Sequence, residues 1–279
     1  MKFLLFFVLM LVSLPALAAE EKESAFDRVM RTGVLRCAYY VFPPVTYRNM
    51  TTNELSGFSV DVMNEIAHRA SLKIEWTEET NFSNWIIGIQ AKRYDVACTP
   101  QWPDVAQGRA VAFSVPLFFE GLYPLVRVDD DRFKNDDLAT LNSEDVTFAT
   151  QDNDSTVSLI KAYFPKSTIK QLTTDGNIAN FAMDVITKKS DAFVNTRNGF
   201  VEFNRNNPTK LHLVALHTPL KWQPATLAVE RHEMMLKDFL DNAILDLQND
   251  GTMNRLLLKW EPEKGKTFLR VAAPAKIVD

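Results

Sequence analysis

Between residues 33 and 99 the chain changes its hydrophobic period repeatedly, from strand to helix and back, and few architectures can bury apolar faces arranged in that order. The run 34–38 reads as a strand. Met63, Ile66, Ala67 and Ala70 recur at helical spacing and make one apolar stripe. Leu72, Ile74 and Trp76 then alternate with Lys73 and Glu75, as a half-buried strand does. A helix carrying Trp85, Ile86 and Ile89, with Ser83 or Asn84 as its cap, leads to a third strand at 95–99. That alternation predicts a mostly parallel sheet with crossover helices. A second series follows the charged turn Asp129-Asp130-Asp131-Arg132: strands at 146–150, 168–172 and 191–195, and helices at 156–163 and 178–186. The chain is therefore expected to form an α/β protein of two lobes, each a sheet flanked by helices. Leu236, Phe239, Leu240, Ala243 and Leu247 predict a further helix, stopped by Asn249-Asp250-Gly251, and Thr252 can cap a short successor bearing Met253, Leu256, Leu257 and Trp260.

The N-terminus constrains the compartment. Lys2 precedes an apolar run at 3–14 and the small-residue pattern Ala16-Leu17-Ala18, which is the pattern of a secretory signal peptide at 1–18. The run is shorter than the roughly 20 residues a helix needs to cross a bilayer. The net charge of −4 becomes about −5 once Lys2 is removed, and no basic face is evident, so nucleic acid is excluded as a partner. Cys37 and Cys98 both sit in apolar strand-like runs; an oxidising compartment allows them to pair, and two packed thiols are the alternative. His68, His212, His217 and His232 lack metal-ligand spacing, and neither a Gly-x-Ser-x-Gly turn nor a phosphate-binding loop is present. No metal and no cofactor are expected.

In open α/β sheets, ligands bind beyond the carboxyl ends of the strands. Tyr39, Tyr40 and Phe42 follow the first strand here, and Thr99, Pro100, Gln101 and Trp102 close the third. Aromatic faces and hydroxyls in those places suit a small solute with an apolar body and polar ends.

Six fragments add a resemblance: Thr32-Gly33-Val34-Leu35-Arg36, Phe42-Pro43-Pro44, Gly57-Phe58-Ser59-Val60-Asp61, Lys92-Arg93-Tyr94-Asp95, Val111-Ala112-Phe113-Ser114-Val115-Pro116, and Asp250-Gly251-Thr252 followed by Lys259-Trp260. In this order and spacing they resemble bacterial extracellular solute-binding family 3, the type II periplasmic binding proteins of amino-acid ABC transporters. The resemblance implies a discontinuous first lobe at 19–121 and 223–279 and a continuous second lobe at 122–222. It implies crossing strands near 120–123 and 222–225 and a ligand held in the cleft between lobes. It further implies a periplasmic monomer that captures a small polar ligand, an amino acid or related compound, for an inner-membrane ABC permease, without catalysis.

The resemblance places Phe42, Phe82 and Trp102 beside the ligand, where core packing is the alternative. Thr99 would offer a hydroxyl or an amide, or simply end a strand. Ser155 and Thr156 would open a helix whose free amides attract an anion, or merely cap it.

Departures from the family pattern matter as much. Where the family carries an arginine that clamps a ligand carboxylate, six residues before Phe113-Ser114, this chain has Gln107. Arg109 lies nearby, as a replacement or as a solvated surface charge. Where the family carries an aspartate for the ligand ammonium, five residues after Asp191-Ala192, it has Thr196, flanked by Asn195 and Arg197. Each missing charge-assisted bond is worth about 1.5–3 kcal/mol, so ordinary α-amino acids are expected to bind weakly. Two other functions fit the same resemblance. One is a cyclohexadienyl dehydratase-like enzyme, for which Glu120 is the candidate acid, unless it is a hinge-surface charge. The other is a ligand-sensing accessory protein.

Overall fold

The computed structural model describes residues 23–82, 84–151, 156–173 and 178–271. Helix α1 (Ala25–Thr32) starts where the Ser24 side chain accepts the Asp27 amide, and stops at Gly33, whose φ of 70° is the left-handed conformation that ends helices. Strand β1 (Val34–Tyr39) follows, then a small ribbon of β2 (Tyr47–Arg48) and β3 (Leu55–Ser56). Helix α2 (Phe58–Ala70) buries the expected stripe of Met63, Ile66 and Ala67, and adds Phe58 and Val62. Gly57 precedes it at φ 123°, with the Val45 carbonyl oxygen 2.5 Å from where a Cβ would stand, so only glycine fits.

Next come β4 (Lys73–Glu79), α3 (Trp85–Gln90), β5 (Val96–Gln101) and β6 (Val111–Phe113). Asn84 makes no capping bond with its side chain, and Ser83 lies outside the described residues. The Asn84 amide itself is accepted by Asn81 Oδ1 at 3.0 Å, in the turn that leads into the helix. Strands β4, β1 and β5 are parallel neighbours in that order, as the alternating pattern predicts. Cys37 on β1 and Cys98 on β5 form a disulfide, with Cα atoms 5.5 Å apart and both residues fully buried.

The long strand β7 (Phe118–Arg127) leads out of this sheet into a second one. That sheet contains β8 (Thr147–Gln151), β9 (Thr168–Leu172), β10 (Ala192–Thr196) and β11 (Leu211–Leu213), with helices α4 (Thr156–Tyr163), α5 (Ile178–Ile186) and α6 (Arg197–Asn206). Strand β12 (Lys221–Glu230) returns. Its first half pairs antiparallel with β7, and its second half with β5 and β6. The strand order β4-β1-β5-β12-β7-β10-β8-β9 is thus two mostly parallel sheets joined through an antiparallel pair. Each sheet has apolar clusters on both faces, which makes two separate cores and hence two lobes. Helices α7 (Met234–Asn249) and α8 (Thr252–Trp260) complete the first of them. Thr252 does not cap α8 with its side chain; the Asp250 carboxylate accepts its amide at 2.8 Å.

Candidate functional site

Parallel strands of both lobes end at a shared cleft of about 670 Å³, within the range of small-molecule sites. From the first lobe it is lined by Tyr40 and Phe42 after β1, by Phe82 and Trp85, and by Trp102, Asp104 and Gln107 after β5. From the second it is lined by Thr150 and Gln151 at the end of β8, Asn195 on β10, Thr156 on α4, and Glu202 and Phe203 on α6.

The first-lobe wall is aromatic because the chain turns tightly there. Tyr40 is almost completely buried, held by its amide on the Thr99 hydroxyl at 3.2 Å and by its own hydroxyl on the Pro100 carbonyl at 3.0 Å. Its ring packs 4.5 Å from Phe82, and Phe42 meets Phe82 edge-on at 6.0 Å. Trp102 crosses between lobes: it lines the cleft, packs against the second-lobe core and donates its indole N–H to Glu120 at 3.3 Å.

Of the residues expected at the site, Phe42, Phe82, Trp102 and Thr156 line the cleft. Ser155 lies outside the described residues. Four others stand elsewhere, for distinct reasons. Side chains alternate along a strand, so Tyr39 points away from the face Tyr40 takes; it joins a separate depression with Trp76 and Asn49, its hydroxyl 3.4 Å from Glu79. The Thr99 hydroxyl is consumed by Tyr40 and Thr46 and is absent from the cleft lining. Arg109 is exposed, and its carbonyl accepts from Arg231. Thr196 is wholly buried as the N-cap of α6, accepting the Gly199 amide at 3.1 Å. Arg197, beside it, is engaged by Glu263 at 2.7 Å.

Several lining residues were not anticipated as contacts. Thr150, Gln151 and Asn195 obey the same rule about strand ends that pointed to Tyr40 and Trp102, applied to the second sheet. Glu202 and Phe203 carry no such signal, since they lie on the cleft-facing side of a helix whose orientation depends on packing. Gly199 admits that packing, because a Cβ there would come 2.5 Å from Asn195 Oδ1.

Glu120 is 2% exposed on β7, directly opposite Gln223 on β12. Burial lifts its carboxyl from 4.5 to about 7, against the opposite pull of Trp102 and Thr196. It is not among the residues lining the cleft. The lobes touch directly in this conformation, through Trp102, the Arg197–Glu263 pair and an Asn198 amide donating to the Pro43 carbonyl at 3.2 Å.

Comparison with known proteins gives this geometry a context. A probable amino-acid ABC transporter-binding protein of Haemophilus influenzae is 22% identical over 84% of this chain and 87% of its own length. The cyclohexadienyl dehydratase of Pseudomonas aeruginosa is 22% identical over 90% of this chain and 91% of its own. The crystal structure of an ancestral amino acid-binding protein, AncCDT-1, superposes with a TM-score of 0.71 at 22% identity, over 85% of this chain and 99% of that one, and shows the fold. The family model of bacterial extracellular solute-binding proteins, family 3, matches residues 35–263, and the chain belongs to that family.

Proposed function

We propose that this protein captures one small solute in the cleft between lobes 19–121 plus 223–279 and 122–222, closes around it, and delivers it to an inner-membrane ABC permease. In this reading residues 1–18 are a signal peptide and the mature chain works as a periplasmic monomer. The observation that carries the reading is the cleft itself. Aromatic faces from one lobe and hydroxyl and amide groups from the other converge on about 670 Å³, and the two lobes are joined through paired strands that can act as a hinge. Elimination chemistry would need an acid facing the substrate. Glu120, the residue expected for that role, turns its carboxylate to the Trp102 indole instead of lining the cleft, so it is not placed to serve as that acid.

The test is native mass spectrometry of protein purified without denaturation, followed by small-angle scattering after unfolding, dialysis and refolding. A single retained solute, whose return to the stripped protein lowers the radius of gyration, is the expected result. A protein that carries no solute and converts a cyclohexadienyl substrate would overturn the reading.

A further inference from the structure

We infer that the solute is an organic ammonium cation with an apolar body and no carboxylate. This rests on reading the cleft as the solute site and specifies what that site accepts.

The charges come first. Three carboxylates, Glu79, Asp104 and Glu202, line the cleft, and no Lys, Arg or His does so among the described residues. Glu79 is paired with Arg48, and Glu202 with Arg205 at 3.0 Å. Asp104 accepts the Gln107 backbone amide at 2.8 Å, which orients its carboxylate without neutralising it. The two arginines that could have served a ligand carboxylate are accounted for: Arg197 is held by Glu263, and Arg109 is exposed and absent from the lining. A carboxylate carried into this cleft would lose its water and find no Lys, Arg or His among the described lining residues to replace it.

Two uncharged groups have the same bias. Gln107 Oε1 and Gln151 Oε1 are buried amide oxygens of lining residues with no hydrogen-bond partner, whereas the Thr150 hydroxyl, also unpartnered, can donate as well as accept. Buried amide oxygens without donors are costly, and an N–H group would satisfy them. The opposite wall is the Tyr40, Phe42 and Phe82 cluster with Trp102 nearby, whose ring faces are electron-rich and attract cations as well as apolar carbon. The unpaired Asp104 carboxylate, the amide oxygens and the aromatic faces all favour an ammonium group, and no lining Lys, Arg or His among the described residues balances a carboxylate.

Calorimetry on the stripped mature chain tests this with three matched sets. They are phenethylamine, phenylalanine and 3-phenylpropionate; cadaverine, lysine and 6-aminohexanoate; and agmatine, arginine and 5-guanidinopentanoate. At least one amine should bind with a Kd about tenfold or more below that of its amino acid, and the purely acidic 3-phenylpropionate should not bind. Asp104→Asn, which can still accept the Gln107 amide, should weaken that amine about tenfold with an unchanged melting temperature. A result in which no amine binds more tightly than its amino acid overturns the assignment and leaves the solute-binding reading standing. So does the absence of binding by all three amines, because the retained-solute and scattering measurements judge that reading separately. An amine that binds equally well to Asp104→Asn overturns the electrostatic argument itself.

Discussion

Replacing Glu120 with glutamine should stabilise the protein above neutrality and leave it unchanged in acid. The folded state lifts this carboxyl from 4.5 to about 7, chiefly because burial penalises its charged form. A group that binds its proton more tightly when folded contributes stability that is fully present below the unfolded value and is lost as pH rises through the folded one. Here the loss runs from about pH 4.5 to just above pH 7. At about 1.36 kcal/mol per pH unit the gap amounts to about 3 kcal/mol. For a chain of this size that is a melting-temperature difference of about 6–12 °C. Glu120→Gln keeps the shape and an acceptor for the Trp102 indole, and its amide can donate across the strand pair to Gln223, whose Oε1 is otherwise unpartnered. Urea unfolding of wild type and variant at half-unit steps from pH 4.5 to 8.5 reads the effect. The difference curve is the informative quantity, since Asp130, held low mainly by Arg132, contributes equally to both proteins. A difference that stays flat across this range would refute the reasoning and mean that water reaches Glu120.

Two further predictions concern the same framework. Removing the disulfide in a Cys37→Ala, Cys98→Ala double variant frees a loop with a sequence separation of 61, which chain entropy values at about 4 kcal/mol. Thermal unfolding should then begin about 8–16 °C lower, and a drop of under about 3 °C would show that the unfolded chain gains little freedom. Trp102→Phe removes the indole donor that pulls Glu120 downward, so the midpoint of the pH-dependent stability should move to higher pH. An unmoved midpoint would mean that the indole does not act on Glu120 in solution.

Periodicity made the lobes legible because each element has to bury one face. Strands at 34–38 and 168–172 and the helix over 178–186 fall where alternation and helical spacing put them. The same reasoning fails at single residues, where the answer depends on which face a residue takes. Tyr39 and Tyr40 are equivalent as residues following a strand, and only the pleat decides that Tyr40 enters the cleft. Thr99 and Thr196 look like ligand hydroxyls until their partners are seen, the Tyr40 backbone for one and the Gly199 amide for the other. Capping depends on the same kind of detail: neither Asn84 nor Thr252 caps its helix with its side chain, and their own amides are accepted by Asn81 and Asp250 upstream. Cys37 and Cys98 could not be paired from spacing, because their partnership depends on β1 and β5 being neighbours in the sheet. Glu202 belongs to no strand end and follows from the docking of α6 alone.

The changed clamp positions then take on a different meaning. Thr196 occupies the place of a family carboxylate but is buried and committed to capping α6, so it cannot meet a ligand ammonium. Negative charge is still present in the cleft, unpaired on Asp104 in the first lobe and paired with Arg205 on Glu202 in the second. If the solute is an ammonium cation, its hold on Asp104 has a mechanical consequence. An empty cleft that narrows strips water from that carboxylate at a cost. A cation beside it offsets the cost, so its affinity for the narrowed state exceeds its affinity for the open one. A ligand can shift a conformational equilibrium only by such a difference in affinity. An ammonium solute would therefore drive closure through the same charge that selects it, whereas a zwitterion would bring a second carboxylate into the same drying site.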